Sequence, residues 1–213
     1  MSLEAILARG LKEMALDLDA ATQSRLLNYV ALIQKWNKVY NLTAVRDPEK
    51  MVVQHLLDSL AVLPHVNGTR VIDVGTGPGL PGIPLALANP ELEVALLDSN
   101  HKKTSFLRQA CLELGLKNAT VICDRVESWQ PTEKYDVVIS RAFSDLSEFA
   151  SLALHLCKNT GQMLAMKGVF PHEELTRLPA TVLLQGVETL KVSGLNAERH
   201  LVLLRPVKME VTD

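Results

Sequence analysis

Cysteine is scarce in this 213-residue chain: Cys111, Cys123 and Cys157 are odd in number, widely separated and never spaced as C-x-x-C. That excludes a disulfide framework, and with no clustered histidines nearby it removes the usual zinc sites. Reduced, mostly buried thiols and no bound metal are expected. The chain also lacks any run approaching twenty apolar residues, and no charged-then-apolar leader opens it, so a cytoplasmic protein that neither spans a membrane nor is exported is expected. There is no repeat or low-complexity segment. A strong charge of either sign is missing too, since 22 basic residues stand against 24 acidic ones for a net charge of −2. A nucleic-acid partner therefore cannot be inferred from bulk charge, and any such surface has to be a local basic patch.

What is present is apolar mass in two rhythms. With 47% hydrophobic residues, the chain can bury roughly 70% of its unfolded surface, which suits one domain with an elaboration. Residues 1–66 read as a helical extension without strands. Leu26, Val30, Ile33, Asn37 and Tyr40 recur at steps of three and four, with Trp36 alongside, which predicts a helix over about 21–40. Asp47-Pro48-Glu49 supplies an N-cap and a first-turn proline for a second helix through Met51, His55, Leu56, Ser59, Leu60 and Leu63, ended by Pro64. Residues 67–213 change rhythm: apolar runs at 71–74, 94–98, 120–123, 136–140 and 163–166 alternate with helices at about 81–88, 100–114 and 144–157. Gly115 closes the second of these helices and Gly161 follows the third. This is the pattern of a mostly parallel α/β sheet with crossover helices. Two last runs, 181–192 and 200–204, with Gly194 and Asn196 between them, predict a terminal antiparallel strand pair.

The most informative stretch is Val71-Ile72-Asp73-Val74-Gly75-Thr76-Gly77-Pro78-Gly79-Leu80-Pro81-Gly82. A strand that breaks into closely spaced glycines and turns into a helix presents bare backbone N–H groups to a ligand, beside the positive end of a helix dipole. Pro81 and Pro84 fit a first helical turn just after Gly79. A dinucleotide fold wants G-x-G-x-x-G, but Leu80 occupies the place of the third glycine. The pattern that fits is Asp73-x-Gly75-x-Gly77-x-Gly79, which resembles the loop of class I, Rossmann-like S-adenosylmethionine (SAM) methyltransferases. In that reading the glycines pass under the sulfonium and ribose, and Asp73 attracts the amino group of the cofactor directly or through water.

Ligands of open α/β sheets bind beyond the carboxyl ends of the strands. Asp98, one strand-helix-strand unit after Asp73, is placed to accept the ribose hydroxyls, the alternative being a helix N-cap. Asp124-Arg125-Val126-Glu127 follows the third run and should border the adenine, with Glu127 and Asp124 as candidate acceptors. The fourth run ends in Ser140-Arg141-Ala142, where amino-group methyltransferases carry Asn-Pro-Pro-Tyr and cytosine-C5 enzymes a Pro-Cys nucleophile. Their absence suits an acceptor that already has a free lone pair, such as guanine N7. Arg141 and Lys167, ending adjacent strands, are the candidate catalytic groups that position such a nucleotide; Arg125, Arg199 and His200 are candidate RNA contacts. His101-Lys102-Lys103 reads as an exposed helix face. His55 and Asp58 share a helix face, where a structural hydrogen bond between them is the preferred reading.

Several strings together resemble one family, the small-subunit ribosomal RNA guanine-N7 methyltransferases, also called glucose-inhibited division protein B. They are Lys35-Trp36-Asn37-Lys38, Tyr40-Asn41-Leu42-Thr43, His55-Leu56-Leu57-Asp58-Ser59, the run 73–84, Leu97-Asp98-Ser99, Ile139-Ser140-Arg141-Ala142-Phe143, Lys167-Gly168 and Glu198-Arg199-His200-Leu201. The Leu-Pro-Gly-Ile-Pro that follows the glycines is the most specific of these. The resemblance implies methyl transfer from SAM to N7 of a guanine, position 527, in the decoding-region loop of bacterial 16S rRNA. It also implies cofactor contacts at Gly75, Leu80, Val126, Glu127 and Arg141. The 16S rRNA or the small subunit is then the partner, and a monomer is expected. An NAD-dependent oxidoreductase, a SAM-binding RNA module without turnover and a small-molecule methyltransferase are the competing readings.

Overall fold

The computed structural model describes residues 1–141, 143 and 145–207. Ser2 caps α1 (Leu3–Glu13) by accepting the Ala5 N–H, and Asp19 caps α2 (Ala20–Tyr40) by accepting the Thr22 N–H at 2.7 Å. α2 ends where Asn41 turns left-handed, at φ 49°. Asp47 caps the next helix as its sequence predicts, but that helix is not uniform. It runs as α3 (Pro48–Met51), then a π-helical stretch Val52–Leu57, then α4 (Asp58–Leu60). π turns inside helices often mark functional sites, and this one carries His55 and leads into Asp58. Pro64 lies in a separate 3-10 turn, Leu63–His65, because the α-helical turns have already stopped at Leu60.

β1 (Arg70–Val74), α5 (Gly82–Ala88), β2 (Glu93–Leu97), α6 (His101–Glu113), β3 (Ala119–Ile122) and β4 (Tyr135–Ser140) follow within two residues of expectation. Next come α7 (Leu146–Ala153), β5 (Cys157–Lys167), α8 (His172–Leu175), β6 (Val182–Thr189) and β7 (His200–Pro206). The seven-stranded sheet has the order β3-β2-β1-β4-β5-β7-β6. Its first five strands are parallel, while β7 lies antiparallel to β5 and to β6. The sheet is thus mostly parallel with an antiparallel pair at one end.

A further expectation fails. The helix over 144–157 followed by Gly161 is instead the shorter α7, a 3-10 turn at Leu154–Leu156, and a strand that begins at Cys157. The register of β5 on β4 slips between Tyr135 and Val137, so Gly161 sits inside a bulge and not at a helix end. A Cβ there would meet the Asp136 carbonyl oxygen at 2.7 Å and Cys157 Sγ at 2.9 Å. The polar run Lys158-Asn159-Thr160 hides this strand start from a hydrophobic pattern, although Lys158 Nζ is held by Asp136 Oδ1 at 2.8 Å.

Strand alternation divides the core. Val71, Leu96, Ile139 and Leu164 face α1, α2, the helix over 48–60, α5 and α6, while Ile72, Leu97, Val138 and Ala165 face α7. No helix among the described residues is long and apolar enough to cross a membrane.

Candidate active site

The glycine loop is built on Asp73, which is fully buried between β2 and β4, paired with Leu96 on one side and Ile139 on the other. Its Oδ2 accepts the Thr76 hydroxyl at 2.6 Å and the Gly82 N–H at 2.7 Å, which ties both ends of the loop to β1. Burial pushes the carboxyl up to about 6, against those two hydrogen bonds and the Arg141 guanidinium. Oδ1 is buried and has no hydrogen-bond partner among the described residues. Gly75, Gly77 and Gly79 have φ of 66°, 61° and 100°, a backbone that side chains resist. Over Gly77 there is open space, the nearest atom to a Cβ being the Gly75 carbonyl oxygen at 4.0 Å.

Asp98 directly follows β2 inside the same arrangement. Its Oδ2 accepts the Gly77 N–H at 2.9 Å and its Oδ1 the Asn100 N–H at 2.8 Å. The N-cap alternative is removed, because Asn100 caps α6 by accepting from Lys102 and Lys103. Each Asp98 oxygen keeps a lone pair for another donor. Val74, Gly75, Asp98, Val126, Glu127 and Phe143 are among the residues around a cavity of about 460 Å³, within the usual range of small-molecule sites. A carboxylate at Asp98 for a diol and bare backbone at Gly75, both bordering the cavity, are what a nucleoside needs, and the unpartnered Asp73 Oδ1 lies beneath the same loop, so the residues fit SAM. Leu80 is placed differently: its side chain is 2% exposed in the core and its N–H bonds to the Thr76 carbonyl.

A second cavity of about 330 Å³ lies past the ends of β4 and β5 and is bounded by Gln54, His55, Asp58, Arg141, Lys167 and Arg199, among others. Ser140 Oγ donates to the Val74 carbonyl at 2.7 Å, fixing the end of β4 against β1 just before Arg141. Arg141 Nη1 donates to the Gln54 carbonyl at 3.1 Å and to Asp58 Oδ2 at 3.3 Å, while Arg199 Nε donates to Asp58 Oδ1 at 2.8 Å. One buried carboxylate thus orients two guanidiniums. Lys167 Nζ meets Glu174 Oε2 at 2.6 Å and the Phe143 carbonyl at 3.3 Å. His200 Nδ1 lies 3.0 Å from the Gly168 carbonyl, which only accepts, so Nδ1 carries the proton.

Arg141, Lys167 and Arg199 therefore converge, and Arg125 does not join them. It is exposed on the rim of the first cavity, 4.0 Å from Glu127. His55 and Asp58 do not pair: His55 Nε2 meets Thr43 Oγ1 at 3.0 Å, and Asp58 turns to the arginines. Burial first, then Arg141, lowers His55 to about 4, which keeps its ring neutral. Asp58, which the sequence pattern assigns only a structural bond to His55, is instead the carboxylate that orients the site's two arginines. The available signal was a carboxylate between Leu56, Leu57 and Leu60 on a buried helix. Ala142, within the string 139–143, lies outside the described residues.

A sequence model described as rRNA small subunit methyltransferase G matches residues 22–202. A protein of Chromobacterium violaceum named ribosomal RNA small subunit methyltransferase G is 56% identical over 197 residues, covering 92% of this chain and 94% of that one. Its namesake in Nitrosospira multiformis is 54% identical over 206 residues, covering 93% and 95%. Among solved structures, a SAM-dependent methyltransferase from Aquifex aeolicus superposes with a TM-score of 0.60 at 18% identity, over 81% of this chain and 97% of that one. The likeness at that identity speaks for the fold, and the two relatives with the family match speak for descent. The chain belongs to the rRNA small subunit methyltransferase G family.

Proposed function

We propose that this protein methylates N7 of a guanine in the decoding-region loop of 16S rRNA, in the cytoplasm and as a monomer. The observation that carries the reading is the shared end of β4: Phe143 borders the Asp98 cavity and Arg141, two residues earlier, borders the cationic one. In this reading the cofactor and the nucleotide meet between the two cavities, beyond the β1/β4 switch of strand order.

In this reading Gly75, Gly77, Asp98, Val126 and Glu127 hold the cofactor, with Asp73 Oδ1 toward its amine. SAM, when bound, supplies a methyl group made electrophilic by the sulfonium. Arg141, Lys167 and Arg199 orient the nucleotide through O6 or phosphate. Guanine N7 presents a lone pair and no proton, so no residue is required as a base. The neutral His55 fits that chemistry. Methylation places positive charge on the purine, and uncompensated cations beside it would oppose the transfer. Here Asp58 serves both arginines and Glu174 serves the lysine, which leaves one net positive charge among the five groups. The protein's contribution is orientation and exclusion of water.

The test is to incubate the protein and SAM with unmodified small subunits and, separately, with naked rRNA. N7-methylguanosine is then mapped by borohydride reduction and aniline cleavage. A single SAM-dependent cleavage in the decoding-region loop is expected. With methyl-labelled SAM in the same reaction, label found at an exocyclic amine, or only in small metabolites, overturns the reading.

A further inference from the structure

We propose that the turn after β5, residues 168–172, together with His200 beneath it, is a stacking platform for an unpaired nucleotide adjacent to the target guanine. The proposal rests on the rRNA-methylating reading above and adds a second substrate contact outside the cavity.

Three rings gather there. The Phe170 centroid lies 4.4 Å from that of His172 with the planes 40° apart, and 5.4 Å from that of His200 at 81°, an edge-to-face contact. The cluster is held from below. His200 is 7% exposed, donates through Nδ1 to the Gly168 carbonyl, and sits on β7 directly opposite Lys167 of β5. Phe170 and His172 are therefore fixed on the strand end that carries Lys167, while Val169 beside them is 76% exposed. Neither the cofactor cavity nor the cation cavity uses Phe170 or His172. Yet Lys167 and Gly168, which lead into the turn, border the cation cavity, so the rings begin where the nucleotide pocket ends.

The chemistry of the turn selects its occupant. Glu173 is exposed on the adjoining α8 and Glu174 already binds Lys167, so a phosphate placed here meets carboxylates. The uncharged face of a base does not. Sequence-selective RNA recognition commonly takes bases from loops and stacks them on aromatic or histidine side chains. A guanine drawn into the pocket leaves its neighbour's face without a stacking partner, and Phe170 with His172 replaces it.

The test compares Phe170→Leu, Phe170→Tyr and wild-type protein in steady-state methylation of unmodified small subunits. SAM affinity is measured by calorimetry alongside. Phe170→Leu keeps the apolar volume and removes the ring. It should raise KM for the subunit about 5- to 150-fold, the range of one lost base stack, with kcat and SAM affinity little changed. Phe170→Tyr should behave as wild type. An unchanged KM in Phe170→Leu overturns the proposal, and so does an equal loss in the Leu and Tyr variants, which marks a packing role. Failure of wild-type protein to methylate the subunit sinks the reaction itself, whereas normal methylation with an indifferent Phe170→Leu sinks only the platform.

Discussion

Asp73 and His55 are both perturbed chiefly by burial, with opposite consequences for stability. The Asp73 carboxyl rises from 3.8 to about 6, so between those values the folded protein holds a proton that the unfolded chain has released. Raising the pH through that window therefore removes about 3 kcal/mol of stability. The His55 imidazole falls from 6.5 to about 4, so in nearly the same window the unfolded chain holds the extra proton. Raising the pH there restores about 3 kcal/mol, and the two contributions nearly cancel in the wild type. Removing either group unmasks the other. Denaturant unfolding between about pH 7 and 4.5 should show His55→Gln gaining stability relative to wild type as the pH falls, and Asp73→Asn losing it. Slopes of the same sign would contradict the assignment. Reading the sequence along one helix face brought His55 and Asp58 together, but their true partners are Thr43 and two arginines, 83 and 141 residues away from Asp58. Such partners come from the fold and leave no trace in local spacing.

At the scale of elements, the glycine loop and the short apolar runs were legible because strand and turn chemistry is local. The bulge of β5 and the π turn before Asp58 were not, because each is set by the neighbour it packs against. The loop itself divides its labour in a way the G-x-G-x-x-G comparison only partly anticipates. Leu80 stands where a dinucleotide fold packs helix on strand through glycine, and Gly82 takes that role two residues later. A Cβ on Gly82 would lie 2.3 Å from Leu96 Cδ2 and 2.9 Å from Asp73 Oδ2. Leu96 is fully buried and Asp73 is tied to Thr76, so neither yields easily. Gly82→Ala should cost about 1–3 kcal/mol and lower the melting temperature. Gly77→Ala meets no such neighbour and should cost about 1–2 kcal/mol from its left-handed backbone alone. Its methyl enters the open space over the loop, so SAM binding should weaken at least about ten-fold, or 1.4 kcal/mol. Thermal melts and calorimetric titration separate the two effects. Wild-type SAM affinity in Gly77→Ala would show that the loop does not carry the cofactor.

At the scale of the molecule, the change of rhythm near residue 66 does not coincide with a gap in packing. Leu7, Leu26, Tyr29, Ile33 and Leu56 from the helical extension share one core with Val71, Ile83, Leu96, Phe106 and Ile139 from the sheet and its helices. The Tyr29 hydroxyl donates to the Pro78 carbonyl at 2.6 Å, and Arg25 Nη2 donates to the Leu114 carbonyl at 2.8 Å, so α2 also braces the glycine loop and the end of α6. Without residues 1–66 the sheet would expose that entire face, and without the sheet the helices would have little to bury against. Periodicity reports the kind of element and not its packing partner, which is why the boundary reads as a division in sequence. The two tryptophans offer a direct test. Trp36 stacks on Tyr40 at 5.3 Å and meets Phe106 edge-on at 5.7 Å, within the helical face. Trp129 packs against the core on the opposite face of the sheet. Trp129→Phe and Trp36→Phe each leave a single fluorescent reporter, one for each face. Each variant's own stability is fixed by circular dichroism, so the fluorescence and dichroism midpoints are compared within one protein. Coincident midpoints in both variants are expected for a single cooperative unit. A Trp36 signal lost at lower denaturant than the bulk secondary structure would show that the helical extension unfolds by itself, and the walls that Gln54, His55 and Asp58 give the cation cavity would then open before the sheet does.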